Sequence, residues 1–329
     1  MLTLFVLQLY FKQFVSSDFE SFYNPLHGNC YVYNSGWNDS KQIVTATREG
    51  PKNGLEMVVN IDQMDYVKQA GSLAGIRVVI LDQNQMPFPE DEGVSVGPGQ
   101  LTYISLQRHE INRLGSPYGS CTEQLFDPFT SAYSAFYNVQ YRAKGCEYTC
   151  YQKKIMHECG CIDFSYLNIT ALMENINADN MSLCQSGNFE QDECRYAIKM
   201  KFMNKSLTCD CPERCNDVIF DSFSSYLDWP MKSEQAKIAQ MYNLTQDEVV
   251  TDNLLRVVIY FSDFHVHELD EGPAYELVQY LSDLCGVTGL WFGFAMMTFF
   301  EYFELLSDEN NTLIMQFKSD VASAHVAID

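Results

Sequence analysis

The longest apolar stretch of the chain lies near its C-terminus, at residues 284–306, where the sequence reads LCGVTGLWFGFAMMTFFEYFELL. The 17 residues from Leu284 to Phe300 contain no charged side chain. As a helix, a run of this length covers about 25 Å, which is most of the hydrocarbon core of a bilayer. Bulky residues occur on every side, whereas a helix buried in a soluble protein usually has one apolar stripe. The pattern therefore predicts a transmembrane helix over residues 282–306.

Glycines and glutamates give this predicted helix features that a plain anchor does not need. Gly286, Gly289 and Gly293 recur every three or four residues, a spacing that lets helices or ions approach the backbone closely. Glu301 and Glu304 follow with a helical spacing of three. Carboxylates inside a membrane usually mark an ion pathway, and the alternative is that both glutamates lie among the lipid headgroups.

Strand patterns occur in two parts of the chain, where β-branched and apolar residues lie between turns that contain Gly or Pro. In the first part, the predicted strands are Gly54–Ile61, Gly75–Leu81 and Leu101–Gln107. The most strand-like run comes much later, at Leu254–His267. His265 and His267 lie two residues apart and therefore share one face of that strand, either as a proton or metal sensor or as two exposed side chains.

The region between these parts is partly helical and dense in cysteine. Cys146 and Cys150 lie one helical turn apart, and the helical spacing continues to the C-x-C motif of Cys159 and Cys161. Two C-x-C motifs are a possible zinc site, but the usual C-x₂-C knuckles are lacking, so no metal is predicted. A second, amphipathic helix is predicted at Met231–Asn243.

The cysteine content and the sequons indicate an oxidising, extracellular compartment. Twelve cysteines in 329 residues are too many for an ordinary cytosolic protein. Sequons for N-glycosylation occur at Asn38, Asn168, Asn180, Asn204 and Asn243.

Charge and motifs exclude two classes of function. The formal net charge of −22 excludes a nucleic-acid-binding protein. No nucleophile–base set, phosphate-binding loop or HExxH motif occurs, so no catalytic residue, enzyme activity or cofactor is predicted.

The C-terminal stretch is also similar to a known motif. Residues 280–304, YLSDLCGVTGLWFGFAMMTFFEYFE, resemble the second transmembrane helix of the epithelial sodium channel/degenerin family, which includes the acid-sensing channels. The matching residues are Leu281, Ser282, Asp283, Gly286, Gly289, Leu290, Trp291, Gly293, Thr298 and Glu301. Two positions depart from the family pattern: Cys285 replaces the first glycine of a pair, and Phe294-Ala295 replaces a pair of small residues.

The resemblance implies roles for residues of the pore. The selectivity filter is expected at Gly293, Phe294 and Ala295. The expected pore and gating positions are Ser282, Asp283, Gly286, Gly289 and Glu301. Ser282 takes the small-residue position whose enlargement holds degenerins open, and sodium would be the permeant ion.

The resemblance covers residues 18–306 and includes the cysteine spacing. It implies a nested ladder of disulfides, namely Cys121–Cys215, Cys146–Cys211, Cys150–Cys209, Cys159–Cys194 and Cys161–Cys184. Acid-sensing members of the family carry an acidic pair before a Pro-Phe, in a loop that faces the helical, cysteine-rich part of the extracellular domain, which is called the thumb. Asn84 and Gln85 stand there in this chain, and because amides do not titrate, classical acid gating is disfavoured.

Together with the strand and helix patterns, the resemblance predicts an α+β fold. A large disulfide-rich extracellular domain, with a β palm, a β-ball and a helical cysteine-rich thumb, would be followed by one C-terminal transmembrane helix. The predicted divisions are an unassigned apolar segment at 1–17, the extracellular domain at 18–281, the transmembrane pore helix at 282–306 and a cytoplasmic tail at 307–329. Within the extracellular domain, the palm and β-ball would cover about 18–112 and 254–268, the thumb about 113–228 and a knuckle-like helix 229–253.

The implied function is that of a subunit of a sodium-selective, amiloride-sensitive cation channel in the plasma membrane. The channel would be a homo- or heterotrimer of family subunits, with most of this chain extracellular. Because the family's first transmembrane helix and first palm strand are not found before Asp18, the chain is expected to be an N-terminally truncated fragment that carries no current alone. The alternative is a cysteine-rich ectodomain that is anchored in the lipid bilayer by one span and binds partners without conducting.

Overall fold

The computed structural model of the 329-residue chain describes residues 18–38, 41–66, 73–123, 130–172, 181–185, 187–242, 244, 249–292, 297–298 and 300–307. The chain divides into two compact units, Met1–Glu271 and Gly272–Asp329. The predicted N-terminal segment, 1–17, lies outside the described residues, and so does the predicted tail beyond residue 307.

Most strands and helices lie in the first unit. Its strands are β1 (Phe19–Asn24), β2 (Gly28–Tyr33), β3 (Leu55–Asn60), β4 (Ile76–Val78), β5 (Val94–Val96), β6 (Gln100–Asn112), β7 (Asn216–Asp228) and β8 (Leu254–Asp270). Its α-helices are α1 (Ala132–Tyr137), α2 (Ala143–Cys159), α3 (Phe189–Met203), α4 (Gln235–Met241) and α5 (Val250–Asn253). The second unit contains α6 (Leu277–Phe292), and its residues 300–307 are helical as well.

Four strands form the main sheet, in the order β3-β8-β6-β7. The two central strands, β8 and β6, are parallel, and each edge strand is antiparallel to its neighbour. The first half of β8 is mostly apolar, and Leu254, Leu255 and Val257 are fully buried. Arg256 interrupts the apolar run and pairs with Glu56 of β3. Leu255 and Val257 pack with Ile104 of β6 in the core of this sheet.

The register between β6 and β8 shifts where the strands leave that core. Leu106 lies opposite Phe261, but the next paired positions are Arg108 and Val266. Residues 262–265 of β8 therefore form a bulge, and the strand beyond it is exposed up to its end at Asp270. The sequence predicted this strand but not its bulge or its extension past His267.

The predicted strand Gly75–Leu81 is shorter in the structure, where only Ile76–Val78 pairs with β5. The pairing ends at Gly93, whose backbone is left-handed with φ of 102°. A Cβ atom at this position would lie 2.4 Å from the carbonyl oxygen of Val78, so only glycine allows the close approach. Residues 79–81 line a cavity instead of extending the strand.

The predicted helix Met231–Asn243 is also shorter, because α4 covers only Gln235–Met241. The preceding residues form a turn in which the Glu234 amide donates to the Met231 carbonyl over 2.8 Å.

In the cysteine-rich region (residues 121–215), a capping side chain marks the residue at which a helix begins. Asn188 caps α3 by accepting a hydrogen bond from the Gln191 amide, as expected for a side chain that satisfies a free helix N–H.

Within the described part of the chain, no helix is both long enough and apolar enough to cross a membrane. The predicted transmembrane helix, 282–306, includes residues 293–296 and 299, which lie outside the described residues.

Candidate functional site

Five disulfides cross-link the cysteine-rich region, and one of them, Cys159–Cys194, joins α2 to α3. They are Cys121–Cys215, Cys146–Cys211, Cys150–Cys209, Cys159–Cys194 and Cys161–Cys184, the same pairs that the family resemblance implies. Their Cα–Cα distances run from 4.8 to 6.2 Å, within the range that a disulfide requires. Each cross-link restricts the unfolded chain and typically stabilises by about 2–4 kcal/mol.

Cys30 and Cys285 lie outside these disulfides. Cys30 is half-buried on β2, and its burial, with a smaller contribution from the Glu90 carboxylate, raises the pKa of its thiol to about 11. Since the thiolate is the reactive form, Cys30 is a weak nucleophile at neutral pH.

The acidic loop (residues 86–92) is fastened to the start of α2 by charged side chains. The Arg142 guanidinium donates to both carboxylate oxygens of Glu92 over 2.9 Å and to the Met86 carbonyl over 2.7 Å. It also lies 5.5 Å from the centre of the Phe88 ring, a cation–π distance. The bidentate contact with Glu92 fixes both the position and the orientation of the two side chains, which a single hydrogen bond does not.

A second contact joins the same loop to α2 through Asp91. Its carboxylate accepts a hydrogen bond from the Tyr148 hydroxyl and lies 2.9 Å from the Lys144 ammonium. Partial burial alone would raise the pKa of Asp91, but the hydrogen bonds from Tyr148 and Lys144 outweigh it and hold this pKa below its usual range. The contact is therefore strongest when Asp91 is ionised.

The family resemblance points to Asn84 and Gln85, whereas the carboxylates that contact α2 are those of Asp91 and Glu92. Asn84 is held by backbone hydrogen bonds to Ser35 and Gln140, of 2.6 and 2.7 Å. The residues that carry charge toward α2 come a few positions later, in the run Glu90–Glu92. Its three consecutive acidic residues are the sequence signal for this contact.

Histidines on neighbouring strands form a stack in the main sheet. The rings of His109 on β6 and His267 on β8 are 4.9 Å apart and nearly parallel, at 19°. Asp221 of β7 lies 3.2 Å from Nε2 of His109, whose side chain is only 17% exposed. The partner of His267 is thus His109, and His265 and His267 are both exposed, which is one of the two alternatives left open by their spacing. His265 belongs to the bulge, where it is 87% exposed and lies beside Asp263.

The first part of the predicted pore helix, residues 282–292, lies in α6. Ser282, Gly286 and Gly289 follow each other at intervals of four and three residues and therefore lie on one side of the helix. A Cβ atom added at Gly286 would meet nothing within 4 Å, so this side leaves room for another backbone. Next to Ser282, the Asp283 carboxylate accepts a hydrogen bond from the Tyr275 hydroxyl.

Large apolar side chains cover the rest of α6 and are exposed within this chain. Leu290 and Trp291 are 85% and 77% exposed, and Val287 and Leu284 are also open. An apolar surface of this kind usually contacts lipid or another protein. Glu301 is exposed in the helical residues that follow, whereas Gly293, Phe294 and Ala295 lie outside the described residues.

Three of the five predicted glycosylation positions belong to the described residues. Asn38, Asn168 and Asn204 are exposed. Asn180 and Asn243 lie outside the described residues.

Among the residues that are described, no group of three or more His, Cys, Asp or Glu side chains is arranged to hold a metal ion.

Comparison with known proteins identifies the group to which the chain belongs. Residues 3–305 match the family model described as amiloride-sensitive sodium channel. The chain belongs to this sodium channel family. Members of this family are ion channels, so the chain is not an enzyme. Its mixed α+β fold with five disulfides is consistent with an extracellular domain of the family.

Individual relatives from this sodium channel family have similar levels of identity. The chain is 30% identical to degenerin unc-8 of Caenorhabditis elegans over 300 residues, which are 88% of this chain and 37% of the degenerin. It is 29% identical to the epithelial sodium channel subunit alpha of Neoceratodus forsteri, over 88% of this chain and 43% of the relative. The chain therefore spans less than half the length of these relatives.

Proposed function

We propose that this chain is a subunit of a sodium-selective, amiloride-sensitive cation channel, and that the channel is a trimer. Membership of the amiloride-sensitive sodium channel family supports the proposal, as do relatives that are named as degenerins and as subunits of the epithelial sodium channel. The partners would be further copies of this chain or other family subunits.

The proposed arrangement puts most of the chain outside the cell, at the plasma membrane. Residues 18–281 would be extracellular, 282–306 would be the transmembrane pore helix and 307–329 would lie in the cytoplasm. Five disulfides and the exposed sequon residues Asn38, Asn168 and Asn204 support an extracellular location for the first of these parts.

The pore would be lined by α6 and the residues that follow it, from three subunits. Sodium would be selected by a ring of backbone carbonyls at Gly293–Ala295, because carbonyl oxygens can replace the water around the ion. Glu301 would add a ring of carboxylates that concentrates cations. In this mechanism no bond is made or broken, and the chain needs no cofactor.

Gating would depend on how α6 is connected to the extracellular part. β8 begins in the buried core of the main sheet and ends at Asp270, only a few residues before Leu277, where α6 begins. The cysteine-rich region would act as a stiff lever, because its helices are cross-linked by disulfides. A movement of this lever and of the sheet would then reach the pore through residues 271–276.

The observation that carries the proposal is the side of α6 formed by Ser282, Gly286 and Gly289 in a chain of this family. Small residues on one side allow three helices to pack closely and close a pore. The 329-residue chain alone is expected to carry no current. The test is therefore to express the full gene in oocytes, including any coding sequence upstream of Met1, and to record the current in sodium, with and without amiloride. Surface protein with a sodium current that amiloride blocks is expected. Surface protein without such a current, but with a binding partner, would favour the anchored ectodomain instead.

A further inference from the structure

The helix α3 carries a row of large apolar side chains on the side that faces away from the core. Ile198 and Phe202, four residues apart, pack into the core of the cysteine-rich region and define the buried side of the helix. Phe189, Tyr196 and Met203 follow each other at intervals of seven residues and therefore form one row on the opposite side. These three side chains, the apolar stripe of α3, are 79%, 64% and 65% exposed.

The size and surroundings of the apolar stripe limit what can cover it. A stable protein–protein interface takes about 20–30 residues from each partner. The stripe is only one row wide, and the exposed charged residues Glu193 and Lys199 flank it on its two sides. A narrow occupant that lies along a single helix therefore fits the stripe better than a second folded protein does.

A sequon for N-glycosylation lies at the end of this helix. The backbone amide of Asn204 donates to the Met200 carbonyl over 2.9 Å, so Asn204 continues the helical spiral by one position. Lys205 then takes a left-handed conformation, with φ of 54°, and the chain leaves the helix there. Asn204 is therefore held one turn after Met200 and two turns after Tyr196.

The direction of side chains on a helix brings a group on Asn204 toward the apolar stripe. Side chains of an α-helix lean toward its N-terminus and cover the preceding turn. Asn204 is exposed, and the preceding turns carry Met200 and Tyr196 on the same side of the helix. A large group attached to Asn204 thus extends back along the exposed side of α3.

We propose that Asn204 carries an N-linked glycan and that the first sugars of this glycan cover the apolar stripe. The donor is an oligosaccharide held on a lipid by a diphosphate. Nδ2 of Asn204 forms a bond to C1 of the first sugar, the bond between C1 and the diphosphate oxygen breaks, and Nδ2 loses one proton. Sugar rings have C–H groups on their faces, which pack on aromatic and thioether side chains, while their hydroxyl groups remain in water. The modification goes beyond channel function and can be tested without recording a current.

Oxidation of methionine by hydrogen peroxide measures how far the glycan covers α3, because a covered sulfur reacts more slowly. The full gene, including any coding sequence upstream of Met1, is expressed in mammalian cells, and the folded protein is oxidised in detergent before and after treatment with peptide-N-glycosidase. Mass spectrometry gives the occupancy of Asn204 and the oxidation rates. We expect an occupied Asn204 and oxidation of Met200 and Met203 that is about threefold slower with the glycan than without it. Met241, an exposed residue of α4, is the internal control and should keep its rate.

Three variants separate this coverage from other effects. Asn204→Gln removes the glycan without the negative charge that the enzyme leaves, and its Met203 should oxidise as fast as in the enzyme-treated wild type. Tyr196→Ser removes a ring on which the sugars pack, so removal of the glycan should then change the rate at Met203 by a smaller factor. Asn168→Gln removes another exposed sequon and is the matched control, with no change at Met203.

Every other outcome counts against the proposal. An unoccupied Asn204 would remove it outright. An occupied Asn204 with equal rates at Met203 before and after deglycosylation would mean that the glycan extends into the solvent. Slow oxidation that persists without the glycan would show that another protein covers the stripe. If Asn204→Gln does not fold, the enzyme-treated wild type still gives the comparison.

Discussion

In the main sheet, side chains such as Ile104, Leu255 and Val257 are fully buried and pack against each other. In the cysteine-rich region, by contrast, α2 is joined to the segments around it by disulfides, and α3 buries only Ile198 completely. The sheet therefore depends on the removal of apolar surface from water, whereas the cysteine-rich region adds covalent cross-links to its own apolar cores around Ile155 and Met156. The two regions should respond differently to reduction.

The largest effect is expected from a cavity in the sheet. Ile104→Ala removes a fully buried side chain and should lower the free energy of unfolding by about 2–5 kcal/mol. Denaturant unfolding of the purified chain measures the loss, and Ile219→Ala on the exposed face of β7 is the control, with a change of less than about 0.5 kcal/mol. Equal losses in the two variants would contradict the assignment of Ile104 to the core.

Removal of one disulfide should affect mainly the cysteine-rich region. The double change Cys159→Ser and Cys194→Ser should destabilise that region by about 2–4 kcal/mol. Hydrogen exchange should then increase in α2 and α3 but not in β6 and β8. Cys30→Ser is the control, since Cys30 lies outside the disulfides. A similar loss of protection in the sheet would show that the two regions are not stabilised separately.

Acid should loosen the contact between the acidic loop and α2. The pKa of Asp91 is lowered in the folded state, so its ionised form stabilises the fold above the usual titration range of aspartate, and this stabilisation is lost as the pH falls through the lowered pKa. Because the contact is partly exposed, the effect should be below about 1 kcal/mol. Asp91→Asn should abolish the change in hydrogen exchange of residues 86–92 between neutral and acidic pH, and Asp228→Asn on β7 should not.

The smallest effect concerns the histidine stack. A double-mutant cycle of His109→Ala and His267→Ala should give a coupling of about 0.5 kcal/mol, because the two rings are in contact. The same cycle with His265→Ala in place of His267→Ala should give no coupling, since His265 is exposed in the bulge. Coupling of His109 to His265 instead would mean that the register of β6 and β8 differs from the one described.

Features that depend on local pattern were predictable from the sequence. The run of β-branched and aromatic residues at Leu254–His267 predicted the strand β8, because such residues favour strands. The helical spacing of Cys146 and Cys150 predicted α2, and the partners of these cysteines came from the family resemblance, since spacing alone does not determine pairing.

Features that depend on distant parts of the chain were not predictable. His109 and His267 meet only because β6 and β8 pair in parallel with a bulge, and no local pattern specifies that register. Glu92 and Arg142 are separated by 50 residues, so their contact follows from the tertiary fold. The strand predicted at Gly75–Leu81 ends early because Gly93 closely approaches Val78. The strand propensity of the segment gives no information about this contact.

The central claim, that α6 belongs to the pore of a sodium channel, is tested most directly by the size of residue 282. Ser282→Phe would place three bulky side chains where the helices of a trimer converge, and small residues there allow close packing. A shift of about 1.4 kcal/mol would change the ratio of open to closed channels about tenfold. The measurement is the amiloride-sensitive sodium current in oocytes that express the full gene, including any coding sequence upstream of Met1, at matched surface density. Ser282→Ala is the small control. A constitutive current in Ser282→Phe but not in Ser282→Ala is predicted; an unchanged open probability with only less protein at the surface would contradict the account.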